Sequence, residues 1–186
     1  MRFKDAQKSA IEQFDSPEFK KRIVEEDSTM MKQLPLLKEI NKLGYLTIES
    51  QAGRHSVGKS YSISERAYMA GFMEQETAAK FIKYISINTD KNAAYVPVCG
   101  NYDLVPSKLD IPVTVSVDTK SGLQNIETHL SPVIPLEIDK LQRKQVKLNL
   151  TDKSVFIVCW DIKWNRLASG QSGLFTDIIK ALNALR

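Results

Sequence analysis

The spacing of apolar residues predicts that the first 44 residues are helical. Apolar positions recur at loose helical spacing from Lys4 to Phe14, which predicts a first helix. Ser16-Pro17-Glu18 then combines a capping hydroxyl, a proline at the first helical position and a carboxylate at the positive end of the helix dipole. This second helix should end near Glu26. Residues 1–28 are therefore predicted to form a helical arm.

A further helical stretch should lead into the main domain, residues 29–186. Ser28 can cap a third segment, and Pro35 marks a break or a fresh start. Beyond it, one apolar face is formed by Leu36, Leu37, Ile40 and Leu43. Gly44 is well placed to end this helix, because glycine accepts the left-handed conformation of a helix C-cap.

Alternating or continuous apolar runs predict the strands of this domain. The predicted strands cover residues 45–49, 66–73, 93–98, 113–118, 124–130, 146–150 and 155–160, and residues 51–62 and 131–139 are predicted loops. The run 155–160 is apolar throughout, which is typical of a central strand buried on both faces. Amphipathic helices are predicted over 74–85 and 174–185. The sum is an α/β (α+β) domain with a mixed sheet of five to seven strands, flanking helices and the helical N-terminal arm.

Composition narrows the class of protein. The chain has 186 residues, of which 42% are hydrophobic and 26% charged, so disorder and fibrous repeats are not expected. No stretch approaches the roughly 20 apolar residues that cross a bilayer, and no signal peptide is recognised. Two cysteines, Cys99 and Cys159, exclude a disulfide scaffold. We expect an intracellular, cytoplasmic protein that does not bind membranes.

The positive charge is concentrated late in the chain. The net charge is +4, yet residues 140–166 alone carry seven basic residues against two acidic ones. Lys144, Lys147 and Arg166 belong to this stretch, which could meet phosphate or an acidic protein surface. A solvated face without a partner is the alternative interpretation.

One motif matches a phosphate-binding loop. Residues 53–60 read Gly-Arg-His-Ser-Val-Gly-Lys-Ser and fit G-x-x-x-x-G-K-[ST], in which Lys59 would neutralise phosphate oxygens and Ser60 would ligate magnesium. Asp161, after an apolar strand, resembles the acid that assists that metal. A working loop needs a helix that begins at the lysine. Residues 59–64 are poor helix formers, so we expect an extended, sheet-paired course after Ser60.

Other candidate chemistry is sparse. His55 has no second ligand at metal spacing, so no metal site is expected. Cys159 lies inside an apolar strand and is expected to be a buried hydrophobe. Asp161 could line a cleft or cap the next turn, whereas Trp164 and Arg166 could stack on and pair with a ligand or pack against the last helix.

Two segments resemble a known family. Residues 43–53 read Leu-Gly-Tyr-Leu-Thr-Ile-Glu-Ser-Gln-Ala-Gly, and residues 65–73 read Glu-Arg-Ala-Tyr-Met-Ala-Gly-Phe-Met. They look like an uncharacterised family of large DNA viruses and bacteria that carries a G-Y-x-T-x-x-S-Q-x-G segment followed by R-A-Y-x-x-G-F. The resemblance covers residues 36–90 and implies no known activity. It implies that Ser50, Gln51 and Gly53 belong to the family's loop, and that residues 58–60 do not.

Three functional hypotheses follow. The first is a non-enzymatic interaction module, without a cofactor, that uses the basic face and the 51–62 loop to bind nucleic acid or an acidic protein surface. The second is a magnesium-dependent nucleotide-binding enzyme. The third is an assembly component of a virus particle, in the host cytoplasm or the virion, that oligomerises through the N-terminal arm. The residues expected to contact the anionic partner are Gln51, Gly53, Arg54, His55, Lys59, Ser60, Lys144, Lys147, Asp161, Trp164 and Arg166.

Overall fold

A computed structural model describes residues 3–26, 28–88, 91–96, 111–129 and 154–186. The strands and helices follow one another in the order α1 (Phe3–Gln13), α2 (Pro17–Glu26), α3 (Ser28–Met31), α4 (Leu34–Lys42), β1 (Leu46–Ala52), β2 (His55–Val57), β3 (Tyr61–Glu65), β4 (Ala67–Glu74), α5 (Gln75–Asn88), β5 (Lys91–Val96), β6 (Ile111–Asp118), β7 (Gln124–His129), β8 (Ser154–Asp161) and α6 (Leu174–Ala184). The predicted strand over 146–150 and the predicted loop over 131–139 lie outside the described residues. Among the described helices, none is long and apolar enough to span a membrane.

The strands form two sheets, and the predicted α+β class is confirmed. The first sheet has the order β1-β4-β8-β5 and the second the order β2-β3-β6-β7. Every pairing between the described strands is antiparallel, so two antiparallel sheets of four replace the predicted mixed sheet of five to seven strands. Apolar alternation shows where a strand lies but not in which direction its neighbour runs, which explains the difference.

The predicted loop over 51–62 is wrong in part, because β2 and the start of β3 lie within it. These short strands pair with each other and β3 pairs with β6. Their side chains are exposed or half-buried apart from Glu65. The strand β2 contributes almost nothing to a core and so carries no apolar alternation, whereas the start of β3 agrees with the extended course predicted after Ser60.

The first sheet is buried on both faces. Helices α4, α5 and α6 cover one face, where Tyr45, Phe81 and Phe175 are fully buried. Helix α1 covers the other, where Phe3 packs with Phe72 and the neighbouring apolar side chains of β4 and β8. Because β8 lies between β4 and β5, the prediction of a central, doubly buried strand over 155–160 is confirmed.

The predicted helix ends of the N-terminal region are confirmed. The Ser16 hydroxyl accepts a hydrogen bond from the Phe19 N–H at 3.1 Å, as an N-cap does. Gly44 has φ +109°, and its N–H donates to the Asn41 carbonyl at 3.1 Å, while the next N–H donates to the Ile40 carbonyl at 3.2 Å. This pair of bonds is the Schellman motif, which turns the chain from α4 into β1.

Two polar groups of the first sheet are buried beside each other. The Tyr45 hydroxyl lies 2.9 Å from the Ile157 carbonyl oxygen and 4.0 Å from the Cys159 sulfur. Burial raises the pKa of Tyr45, and the nearby Cys159 adds to this effect. Burial also raises the pKa of the Cys159 thiol to about 12. The prediction that Cys159 is a buried hydrophobe is thereby confirmed.

These raised pKa values predict a loss of stability in alkaline solution. The unfolded thiol loses its proton near pH 9, whereas the folded thiol keeps its proton up to about pH 12. Between these values the unfolded state binds fewer protons, so the free energy of unfolding should fall by about 1.4 kcal/mol per pH unit for this group. Urea unfolding of the wild type and of Cys159→Ala across this pH range measures the difference. If both proteins showed the same pH dependence, the buried thiol would not be its source.

Candidate functional site

Three segments meet where the two sheets join, and most of the predicted site residues lie there. Backbone hydrogen bonds connect them: the Glu65 N–H donates to the Arg54 carbonyl and the Asn165 N–H donates to the Glu65 carbonyl, both at 2.8 Å. The Ala168 N–H donates to the Ala52 carbonyl, also at 2.8 Å. We call this region the strand junction. It comprises residues 51–54, 65–66 and 161–168.

Gln51 and Gly53 build the strand junction. The Gln51 amide donates to the carbonyls of Arg66 at 3.0 Å and Val113 at 3.1 Å, which ties the first sheet to the second. Gly53 has φ +73°, and a Cβ at this position would lie 2.6 Å from the Arg166 carbonyl oxygen. Only glycine both adopts this left-handed φ without strain and leaves room for the Arg166 carbonyl. These two predicted binding residues therefore hold the segments together.

Asp161 closes the loop that follows β8. Its side chain is fully buried, and its two carboxylate oxygens accept hydrogen bonds from Arg166 Nε at 2.6 Å and Nη2 at 2.5 Å. The same carboxylate accepts the backbone N–H of Lys163 at 2.9 Å. The alternative in which Asp161 caps the next turn is thus the observed one, and Arg166 pairs with this aspartate.

Arg66 and Trp164 form a stacked pair. The guanidinium carbon of Arg66 lies 4.4 Å from the centre of the Trp164 ring, a cation–π arrangement. Burial lowers the pKa of the Arg66 guanidinium, and the charge of Asp161 acts in the opposite direction. Within the described part of the chain, Arg66 Nε is buried and has no hydrogen-bond partner. The sequence analysis did not select Arg66, because nothing in a local pattern indicates contact with a residue so distant in sequence.

The strand junction carries a net positive charge. Its charged side chains are Arg54, Arg66, Lys163, Arg166, Glu65 and Asp161. Glu65 is almost completely buried and lies 3.0 Å from Arg54 Nε, whose side chain is 40% exposed. Lys163 is exposed. Both carboxylates therefore point into the protein, and cationic groups reach the surface.

Lys59 and Ser60 lie at the opposite end of the second sheet, in the exposed turn between β2 and β3. The chain then continues as β3, which pairs with β2 and β6, so the predicted extended course after Ser60 is confirmed. The Thr119 N–H donates to the Ser60 carbonyl at 3.0 Å, which binds this turn to the one between β6 and β7. A phosphate loop needs the amides of a helix N-terminus at this point, and a β-hairpin does not provide them.

The remaining predicted site residues, His55, Lys144 and Lys147, are not part of the strand junction. His55 is exposed on β2, with its Nδ1 3.2 Å from the Ser64 hydroxyl. Lys144 and Lys147 are outside the described residues. Across the described ranges, no group of three or more histidine, cysteine, aspartate or glutamate side chains is arranged to hold a metal ion.

Comparison with known proteins adds no identification. No protein-family model matches the chain, and no curated protein is similar to it in sequence. The resemblance to the viral and bacterial family stays a prediction.

Proposed function

We propose that the protein is a non-enzymatic interaction module that binds single-stranded nucleic acid through the strand junction. The observation that carries the proposal is the Arg66 guanidinium stacked on Trp164 beside two further cationic side chains, Arg54 and Lys163. Aromatic rings and guanidinium planes stack on bases, and the positive charges attract the phosphate backbone.

The buried carboxylates support this arrangement. Asp161 and Glu65 are turned into the protein, where each contacts an arginine. They position these arginines and contribute little negative potential at the surface. Arg54 contacts Glu65, and its side chain is 40% exposed, so a guanidinium lies within reach of a ligand at the surface. A bidentate contact from such a group is well suited to phosphate.

Neither alternative hypothesis gains comparable support. The nucleotide-binding enzyme needs a helix after Ser60, where the chain forms β3. The assembly hypothesis needs an arm that reaches a neighbour, whereas Phe3 and Ala6 of α1 are buried against the chain's own first sheet.

Fluorescence anisotropy with a labelled oligothymidylate of about fifteen nucleotides tests the proposal. We expect affinity to fall as salt rises, with a log–log slope of about −0.7 for each phosphate contact. Arg66→Met keeps the length of the side chain but removes its charge, so it should weaken binding about tenfold and flatten the slope by about 0.7. Lys80→Met, on the exposed face of α5, is the matched control and should change neither.

Two results would contradict the proposal. One is affinity for the oligonucleotide that does not change with salt, or that Arg66→Met leaves intact. The other is that polyglutamate binds with the expected dependence on Arg66 while the oligonucleotide does not bind. The partner would then be an acidic protein surface rather than a nucleic acid.

A further inference from the structure

A cleft of about 900 Å³ lies between the N-terminal helices and β1. Its helical wall is apolar and includes Phe14, Phe19, Ile23 and Met30. The opposite wall is formed by six consecutive residues of β1, from Leu46 to Gln51. Neighbouring side chains of a strand point to opposite faces of the sheet, so a cleft on one face would contact only every second residue. Six consecutive residues can line one cleft only along the backbone edge of the strand. The cleft therefore runs along the free edge of β1.

Among the residues that the structure describes, the backbone of β1 has partners at both ends of this edge and none at Ser50, in the middle. The Thr47 N–H donates to Asn41 Oδ1 at 3.1 Å, and the Ala52 carbonyl accepts from the Ala168 N–H. These groups face away from β4, to which β1 is paired with one irregularity between Thr47 and Glu49. Antiparallel pairing alternates along a strand, so the N–H and C=O of Ser50 face the same way as those of Ala52. They point into the cleft.

We propose that this cleft binds an extended peptide segment of a partner protein, which adds to β1 as a further strand. Main-chain hydrogen bonds to an exposed strand edge provide affinity in this mode, and pockets for alternate side chains provide specificity. Here Ser50 supplies the main-chain groups, and the apolar side chains of α1, α2 and α3 receive alternate residues of the peptide. The open stretch between Thr47 and Ala52 covers residues 48–51, about 13 Å, so the strand contact involves about four residues of the peptide.

The charges of the cleft fit a peptide and not the nucleic acid of the strand junction. Its charged lining consists of Arg22 and Glu49, together with the Arg54–Glu65 pair at the end where the cleft meets the strand junction, so that positive and negative groups balance. A polyanion gains nothing from such a site, whereas an uncharged peptide backbone with apolar side chains meets no unfavourable field.

An array of random hexapeptides, acetylated and amidated at their ends, tests this proposal. We expect the selected peptides to carry apolar residues at alternate positions. Ser50→Pro removes the N–H that faces the cleft and should weaken their binding by at least about tenfold, whereas Ser50→Ala keeps the backbone and should change it by less than about twofold. Ile23→Arg, on the helical wall, should also weaken binding without altering β1.

The proposal is overturned if no peptide binds the wild type above background, or if the selected peptides bind Ser50→Pro and Ile23→Arg as well as they bind the wild type. The cleft and the strand junction share Arg54 and Glu65, so each proposal is tested at a residue that lies in only one of the two sites. Arg66→Met should keep peptide affinity, and Ile23→Arg should keep oligonucleotide affinity, so each site can fail without the other.

Discussion

Replacement of Arg166 by methionine is expected to lower the free energy of unfolding by about 3–5 kcal/mol. The reason is the burial of its partner: Asp161 is fully inaccessible to solvent, and Arg166 donates two hydrogen bonds to its carboxylate. Without the arginine, this buried carboxylate loses two charge-assisted hydrogen bonds, and the loop after β8 must rearrange to compensate for them. Urea unfolding at neutral pH measures the cost.

A second substitution shows whether the buried charge of Asp161 causes the loss of stability. Asp161→Asn combined with Arg166→Met removes both charges and keeps an oxygen acceptor for the Lys163 N–H. The double variant should be more stable than Arg166→Met alone, because an uncharged amide is easier to bury than a carboxylate that has lost its ion pair with Arg166. Lys38→Met breaks the exposed pair with Asp15 and should have little effect. An equally small effect of Arg166→Met would contradict the described junction.

Gly71→Ala is expected to destabilise the protein by about 3 kcal/mol or more. Gly71 lies in the middle of β4, and a Cβ there would overlap the Leu46 carbonyl oxygen and approach Thr47 Cα to 2.9 Å. Both obstacles are backbone atoms of the paired strand β1, which cannot rotate out of the way. The edge strand β1 would have to move away from β4 at this point. Thermal unfolding or urea unfolding measures the change.

Gly122→Ala is the control, because alanine at this position strains the backbone but overlaps no neighbouring atom. Gly122 has φ +71° and no atom within 4 Å of a built Cβ, so alanine there costs only the left-handed conformation, about 1 kcal/mol. If Gly71→Ala were no more harmful than Gly122→Ala, β1 and β4 could not be packed as closely as described.

The sequence predicted the structure correctly where the conformation depends on a few neighbouring residues. The cap at Ser16, the left-handed Gly44 and the central strand β8 each follow from a few neighbouring residues. The same holds for the extended chain after Ser60, because three serines, a tyrosine and an isoleucine within residues 59–64 do not favour a helix. Strand β2 was harder to predict, since a short, largely exposed strand carries no apolar period.

The strand junction could be predicted only in part. Asp161 was a candidate because an acid at a strand end caps turns or lines clefts, and it caps the turn. The pairing of Arg66 with Trp164 depends on antiparallel packing of β4 against β8, a long-range contact that no local pattern encodes. The count of charged residues along the sequence predicted a basic face formed by residues 140–166. At the strand junction, two of the four cationic side chains, Arg54 and Arg66, come from outside that stretch.

The fluorescence of Trp164 shows whether nucleic acid binds at the strand junction, because this ring lies within the junction. A Trp160→Phe variant leaves Trp164 as the only tryptophan of the chain. Titration with an oligothymidylate should then quench the emission in a saturable manner, and added salt should reverse the quenching. Unchanged emission under conditions in which anisotropy shows the oligonucleotide bound would place the contact elsewhere and contradict the account.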